Sequence, residues 1–240
     1  MDEQSQIGIV IPVYNHGTRI SDVVHQVVPL GYPVFVVDDG STDSTAELLS
    51  SMDGITVLTH SSNLGKGAAL QTGFTAAQKS CNRAISIDAD GQHKPEDISH
   101  LIHAAKNNQP EIIIGKRQGM DQTHVPWTSK FGRKFSNFWV WVSGGPMLSD
   151  SQSGFRLYPI AEVLALDVHA KRFQYEVEVL VQAHQQGIAI SETPVQVVYQ
   201  KGAERISHFH PWRDFMRNSA TFSRLIFRRI FRIFRVGRTR

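Results

Sequence analysis

Five short apolar runs, separated by segments of helical pattern, fill the first half of this 240-residue chain and leave few folds open to it. The runs are IGIVIPV (Ile7–Val13), PVFVVDD (Pro33–Asp39), ITVLTH (Ile55–His60), AISIDAD (Ala84–Asp90) and EIIIGKR (Glu111–Arg117). Apolar residues recur at helical spacing near Thr18–Val28, Ser44–Ser51, Gly67–Lys79 and Pro95–Asn107. Continuous apolar strands between amphipathic helices are the pattern of a parallel sheet covered on both faces. The expected fold class is therefore α/β and doubly wound. In such sheets ligands sit outside the carboxyl ends of the strands.

The second half is less regular. A helix is expected over Ser129–Ser143, a polar loop over Asp150–Pro159, and a helix over Tyr175–Gln186 that Gly187 ends. Ile188–Tyr199 reads as one or two strands and Gln200–Pro211 as a loop. With 41% hydrophobic residues the chain can bury one sizeable core. We expect one domain over residues 1–212 and a tail over 213–240. The tail holds nine arginines against a single acid, Asp214, so the net charge of +3 belongs to it. The preceding 212 residues carry 16 Lys and Arg against 21 Asp and Glu. The basic character therefore describes a tail partner and not the chemistry of the core.

The strand rule gives the apolar runs chemical content. Pro12-Val13-Tyr14-Asn15, Asp38-Asp39-Gly40-Ser41, Asp88-Ala89-Asp90 and Gly115-Lys116-Arg117 should converge on one edge. Asp43 and Ser44 precede a helix and suit a cap. Asp88 and Asp90 do not, because the next helix starts later. On an extended chain their carboxylates stand roughly 6.6 Å apart on one side. Two such anions resist burial unless a cation joins them. Hard oxygen ligands suit Mg²⁺ or Mn²⁺, held by one or two carboxylates and a substrate's phosphates, with Gln92 as a third oxygen. Zinc through His93, His208 or His210 lacks the expected ligand spacing. The one cysteine, Cys81, excludes a disulfide within the chain and cysteine-rich zinc sites. Asp39 is placed to contact a nucleobase or ribose.

The segments IPVYN, VVDDGSTDST, NLGKGAALQTGF, ISIDADGQH, IIIGKR, DSQSGFRLYP and FQYEVEVLVQA together resemble the family 2 glycosyltransferases of GT-A fold. Within that family the chain is most similar to the polyprenyl-phosphate sugar synthases, typified by dolichol-phosphate mannose synthase. The resemblance spans nearly the whole chain. It implies a nucleotide-sugar pocket at Pro12, Tyr14, Val37, Asp39, Asp88 and Ala89. It implies a metal site at Asp90 and Gln92, with Asp88 nearer the ribose or donor sugar. Arg117 is implied as a phosphate contact, with a further basic acceptor contact at Lys130 or Arg133. One departure is His16, where many of these synthases carry Glu. GKGAAL (Gly65–Leu70) has the look of a dinucleotide fingerprint, but Leu70 holds its third glycine position and the segment follows the third strand. It reads better as a tight strand-to-helix junction with Lys66 near the donor phosphates.

The expected reaction is attack of an acceptor oxygen on the anomeric carbon of a nucleoside-diphosphate sugar (GDP- or UDP-hexose), with inversion implied by the resemblance. The metal and Arg117 would meet the charge of the leaving diphosphate. A hydroxyl acceptor needs a carboxylate base, for which Asp150 is the candidate. A phosphate acceptor, with a second pKa near ~6, is already ionised and needs arginines to position it. Arg117, Arg133, Arg156 and Arg205 favour it, although Arg156 could also only brace its loop. Gln200–Phe215 would close over the donor, bringing Lys201 and Arg205 to the diphosphate.

In the tail, Arg224, Arg228, Arg232 and Arg235 fall on one helical stripe, opposite Phe222, Ile226, Ile230, Ile233 and Phe234. That composition suits a membrane interface. Packing on the domain itself is the alternative, and nucleic acid is not an expected partner. Trp127, Phe131, Phe135 and Trp139 form another stripe, either core or membrane-facing. Residues 1–20 show no signal-peptide pattern, and FWVWV (Phe138–Val142) is too short to span a bilayer. The protein is expected on the cytoplasmic face of a membrane, held peripherally. Transfer to a glycolipid or glycan hydroxyl, and a non-catalytic nucleotide-sugar-binding module, are the other functions open to this sequence.

Overall fold

The computed structural model describes residues 7–105, 109–119, 127–197 and 221–227, except the side chains of residues 18 and 127–129. The elements run β1 (Ile7–Val13), α1 (Gly17–Val27), β2 (Val34–Asp38), α2 (Thr45–Ser50), β3 (Ile55–Thr59), α3 (Lys66–Ala77), β4 (Arg83–Ser86), α4 (Ile98–Ala104), β5 (Glu111–Arg117), α5 (Trp127–Val142), β6 (Arg156–Pro159), α6 (Ile160–Leu164), α7 (Gln174–Gln185) and β7 (Ala189–Val195). A last helical segment, α8, covers 221–227. The strands form a seven-stranded sheet in the order β3-β2-β1-β4-β6-β5-β7. All neighbours are parallel except at β6, which runs against both β4 and β5.

Side-chain alternation along the strands divides the core in two. Ile9, Ile11 and Val13 of β1, with Val36, Ile85, Ile113 and Leu157, pack under α1 and α4 through Ile20, Val24, Val27, Ile98 and Leu101. Val10, Phe35, Val37, Ala84, Ile112, Ile114 and Tyr158 face the other way, onto α3, α6 and α7. The doubly wound reading holds.

Two sequence expectations change. Asp150–Pro159 was expected as a loop, but its last four residues are β6, in the interior of the sheet. Arg and Pro at its ends hid it. The buried Arg156 guanidinium is made tolerable by carbonyls: it donates to Ser151 O, Ser153 O and Glu176 O at 2.8, 2.6 and 2.8 Å. Arg156 thus braces this loop, the plainer of its two readings. The second change is at β4, which ends at Ser86 instead of Asp90. The chain turns through Ala89 and Asp90 into Gly91, so the extended spacing assumed for the two carboxylates does not apply.

The described piece of the tail lies on the domain. Phe222 and Leu225 of α8 are buried with Val140, Val177 and Val181, and Phe222 stacks on Trp139 at 6.0 Å. Arg224 pairs at 2.6 Å with Glu178, a fully buried carboxylate of α7. Packing on the domain, the alternative to membrane contact, is what residues 221–227 do. The expected boundary at 212 and the tail beyond 227 lie outside the described residues. The stripe on α5 is mixed: Phe135 stacks between Phe131 and Trp139, while Phe131, Phe138 and Trp141 are more than half exposed.

Candidate functional site

The carboxyl edge of the sheet is assembled from loops that tie to one another. Asn15 bonds Ser41 and Thr42 through its backbone and side chain, so the turns after β1 and β2 are clipped together. His16 and Gly17 donate their backbone N–H groups to Thr45 and Asp43. Pro12 and Val37 are register partners in the sheet and buried, so any contact they make with a ligand is through backbone. Tyr14 is partly exposed above them. Asp39 is almost fully buried and accepts from Leu64 N–H and Gly65 N–H at 2.9 and 2.8 Å, with His60 Nδ1 at 2.7 Å. Its carboxylate therefore secures the entry to α3. There Gly65 takes φ +104°, a conformation that a side chain would oppose.

The first residue of α3 enters the site. Lys66 Nζ lies 2.6 Å from Asp88 Oδ1 and 3.0 Å from Glu176 Oε1 of α7. Burial works against the Lys66 ammonium, but Asp88 and then Glu176 outweigh it and hold its pKa above the ordinary lysine value. Burial likewise works against Asp88 as an anion. Lys66 overrides it, helped by His93 and Arg117, and the carboxyl titrates below its usual range. Asp90 behaves oppositely: burial raises its pKa and the charge of Asp88 raises it further. Its Oδ1 accepts from Gln92 N–H at 3.0 Å, and Arg19 donates to its carbonyl at 3.1 Å.

This asymmetry bears on a metal. One lysine serves Asp88, while Asp90 is left as an anion that its surroundings disfavour. Two carboxylates and the Gln92 amide offer hard oxygen donors on one turn, which suits Mg²⁺ or Mn²⁺ completed by substrate oxygens. Among the described residues no three His, Cys, Asp or Glu gather closely enough to form a protein-only cage. Of the histidines weighed for zinc, His208 and His210 lie outside the described residues.

The loop before β6 closes over Asp88. A Cβ built on Gly154 would fall 2.5 Å from Lys66 Nζ and 2.6 Å from Asp88 Oδ2, so the pair packs where only hydrogen fits. Ser86 Oγ donates to Gly154 O at 2.5 Å and staples this loop to the end of β4. His93 is buried with its ring 5.0 Å from that of Phe155. Burial pushes it down to about 4, so the imidazole is neutral at physiological pH.

On the other side of the cleft, Arg117 Nε and Nη2 donate to the two oxygens of Asp150, both at 2.7 Å. Asp150 is fully buried, and its loop is held by Glu192, which accepts from Ser149 N–H and Asp150 N–H. Arg117 keeps 18% of its side chain exposed. α5 meets the same loop through Ser136 and Ser151, and through Asn137, which bonds Ser149 and Ser151. Lys130 and Arg133 lie two turns and one turn before these residues on the same helix face by spacing, Lys130 partly exposed and Arg133 buried. Lys201 and Arg205 lie outside the described residues.

Sequence reasoning passed over Gly154 and Glu176. Glu176 had a signal: an acid in a helix whose residues 174–183 are all buried must have a partner. Gly154 had none, since its role is set by two side chains distant in sequence.

The fold and this edge define a nucleotide-sugar transferase of GT-A type. The glycosyl transferase family 2 model matches residues 8–163, and the chain belongs to that family. It is a nucleotide-sugar-dependent glycosyltransferase. Among curated relatives, a UDP-N-acetylglucosamine–dolichyl-phosphate N-acetylglucosaminyltransferase of Methanococcus voltae is 30% identical over 215 residues, 80% of this chain and 86% of that one. A polyprenol monophosphomannose synthase of Mycolicibacterium smegmatis is 28% identical over 205 residues, 78% and 75% of the two chains. In structure, the chain is similar to a Mycobacterium tuberculosis glucosyl-3-phosphoglycerate synthase solved with Mg²⁺ and UDP, at a TM-score of 0.69, 18% identity, and coverage of 92% and 79%. At that identity the likeness speaks to fold alone.

Proposed function

We propose that this enzyme transfers a hexose from a nucleoside-diphosphate sugar to a polyprenyl phosphate, acting peripherally at the cytoplasmic face of a membrane. The observation that carries this is the Arg117–Asp150 pair. A guanidinium fixed at both ends by a buried carboxylate, yet partly exposed at the sheet edge, is suited to reading a phosphate. The pair also argues against Asp150 as a base, since both its oxygens accept from Arg117. A phosphate acceptor needs no base, and the names of the relatives point the same way.

Asp90 and Gln92, with Asp88 beside them, would hold Mg²⁺ or Mn²⁺. When bound, the ion supplies positive charge for the leaving diphosphate. Lys66 orients Asp88 toward the donor side. Arg117, with Lys130 or Arg133, orients the acceptor, and Lys201 and Arg205 are assigned to the donor diphosphate. The backbone at Pro12 and Val37, with Tyr14 and Ala89, forms the floor for the base, whose entry loop Asp39 secures. Membrane contact is supported by the nine arginines of the tail and by Phe131, Phe138 and Trp141 on α5, a helix with three cations and no acid. No helix among the described residues is long and apolar enough to cross a membrane.

The test is product formation from a panel of GDP- and UDP-hexoses with a short polyprenyl phosphate, the corresponding polyprenol and a glycolipid. The proposal expects transfer to the phosphate only, lost in EDTA and restored by Mn²⁺. Equal transfer to the free alcohol or the glycolipid overturns the acceptor, and full activity in EDTA overturns the metal.

A further inference from the structure

Glu176 is a carboxylate placed where a simpler design would have none. It sits in the first turn of α7, in a helix whose residues 174–183 are all buried, and among the described residues its carboxylate pairs with Lys66, which already has Asp88. An ion pair of Lys66 with Asp88 alone would be neutral. With Asp90 it would leave the cleft one negative charge. Glu176 adds a second, so these four groups together carry two, part of which Arg19 offsets from the Asp90 carbonyl.

We propose that Glu176 is a positioning residue that, through Lys66, sets the charge and placement with which Asp88 and Asp90 receive the donor's cation. The inference rests on the metal reading given above.

The architecture is built for such a role. Arg156 holds the carbonyls of Ser151, Ser153 and Glu176 at once, so the loop covering Asp88 and the turn carrying Glu176 move as one piece. Gly154 lets that loop descend onto the Lys66–Asp88 contact. Lys66, 2.6 Å from one acid and 3.0 Å from the other, is shared between them. Neutralising Glu176 leaves the ammonium wholly to Asp88 and takes a negative charge from the cleft. Removing Lys66 together with that charge restores the original balance. A bracing role for Glu176 predicts the reverse, because the double change removes the entire brace.

The experiment is Mn²⁺ titration of the full chain without nucleotide or acceptor, followed by electron paramagnetic resonance of the free ion. E176Q is expected to weaken Mn²⁺ binding about tenfold, as the loss of one nearby charge in a partly screened site should. The double variant K66M/E176Q, which restores the charge but not the Lys66–Asp88 contact, is expected to bind Mn²⁺ more tightly than E176Q. Unchanged binding in E176Q, or a double variant weaker than E176Q, overturns the inference. Should E176Q be too unstable to titrate, K66M and K66M/E176Q decide: weaker Mn²⁺ binding in the double variant than in K66M supports the inference, and equal binding overturns it. D90N separates the two layers. If wild type and D90N bind Mn²⁺ alike, the metal reading itself has failed. If D90N abolishes binding while E176Q does not change it, only this inference has.

Discussion

Replacing Gly154 with alanine tests the site at its tightest point. The backbone there is not in the left-handed region, so alanine introduces no torsional strain. What it introduces is one methyl group, 2.5 Å from Lys66 Nζ and 2.6 and 3.0 Å from the two oxygens of Asp88. Non-bonded contacts to carbon settle near 3.5–4.0 Å, so the ammonium and the carboxylate must each retreat by about 1 Å. Both are side-chain ends and can do so, and the fold should survive. The 2.6 Å contact between them cannot, since the methyl enters from the side they share. Losing a hydrogen bond between charged groups costs about 1.5–3 kcal/mol. Carried into donor affinity, that is roughly 10- to 150-fold. Isothermal titration of UDP and GDP with Mn²⁺ reads the loss, and a thermal melt within about 3 °C of wild type shows that folding is not the cause. G154A binding nucleotide as well as wild type would refute the reasoning, since Asp88 would then have no part in holding the donor.

Three further outcomes follow from other contacts. D150N should raise the KM for a polyprenyl phosphate about tenfold while leaving Mn²⁺-nucleotide affinity unchanged, because only the Arg117 clamp is loosened. His93, held near pKa 4 in the fold against 6.5 in the unfolded chain, makes the unfolded state bind more protons as pH falls. Its share of stability is therefore whole above about pH 6.5 and drains away toward pH 4, with about 2 kcal/mol gone at pH 5. Urea unfolding at pH 7.5 and 5.0 should show H93N losing less stability than wild type over that interval. R224A takes the counter-charge from the buried Glu178, which among the described residues keeps only its bonds from Ala170 N–H and Gln182. Arg224 is more than a third exposed, so screening reduces the usual penalty to about 1–2 kcal/mol, a melting shift of roughly 2–6 °C that R224A/E178Q should partly recover.

The sequence declared those parts of the fold in which one segment decides its own state. β1, β2 and β5 are long apolar runs, and α1 and α7 have clear apolar spacing, so their positions were legible. β6 was not: four residues beginning with a charge and ending in proline become a strand only because β4 and β5 leave a gap that Arg156 can enter with its guanidinium bonded to carbonyls. The site divides in the same way. Asp88, Asp90 and Arg117 announced themselves as polar groups at strand ends. The partners that tune them, Lys66 with Glu176 and Asp150 with Glu192, come from elements up to about a hundred residues away, and no local pattern links them. Asp150 was read as a candidate base, and its pairing with Arg117 had no local signal.

β6 also decides who can change what. Being the reversed strand, it meets the ligand edge with its beginning, so the cleft receives one chain segment on its way in where every other strand sends a segment out. That incoming piece, residues 150–155, follows α5 in sequence and touches both sides of the cleft, Arg117 through Asp150 and the Lys66–Asp88 pair through Gly154. Under the proposed roles, changes between β5 and Asp150 would therefore reshape the acceptor side while β1, β2 and α3 keep theirs, and changes at Gly154 would reach both.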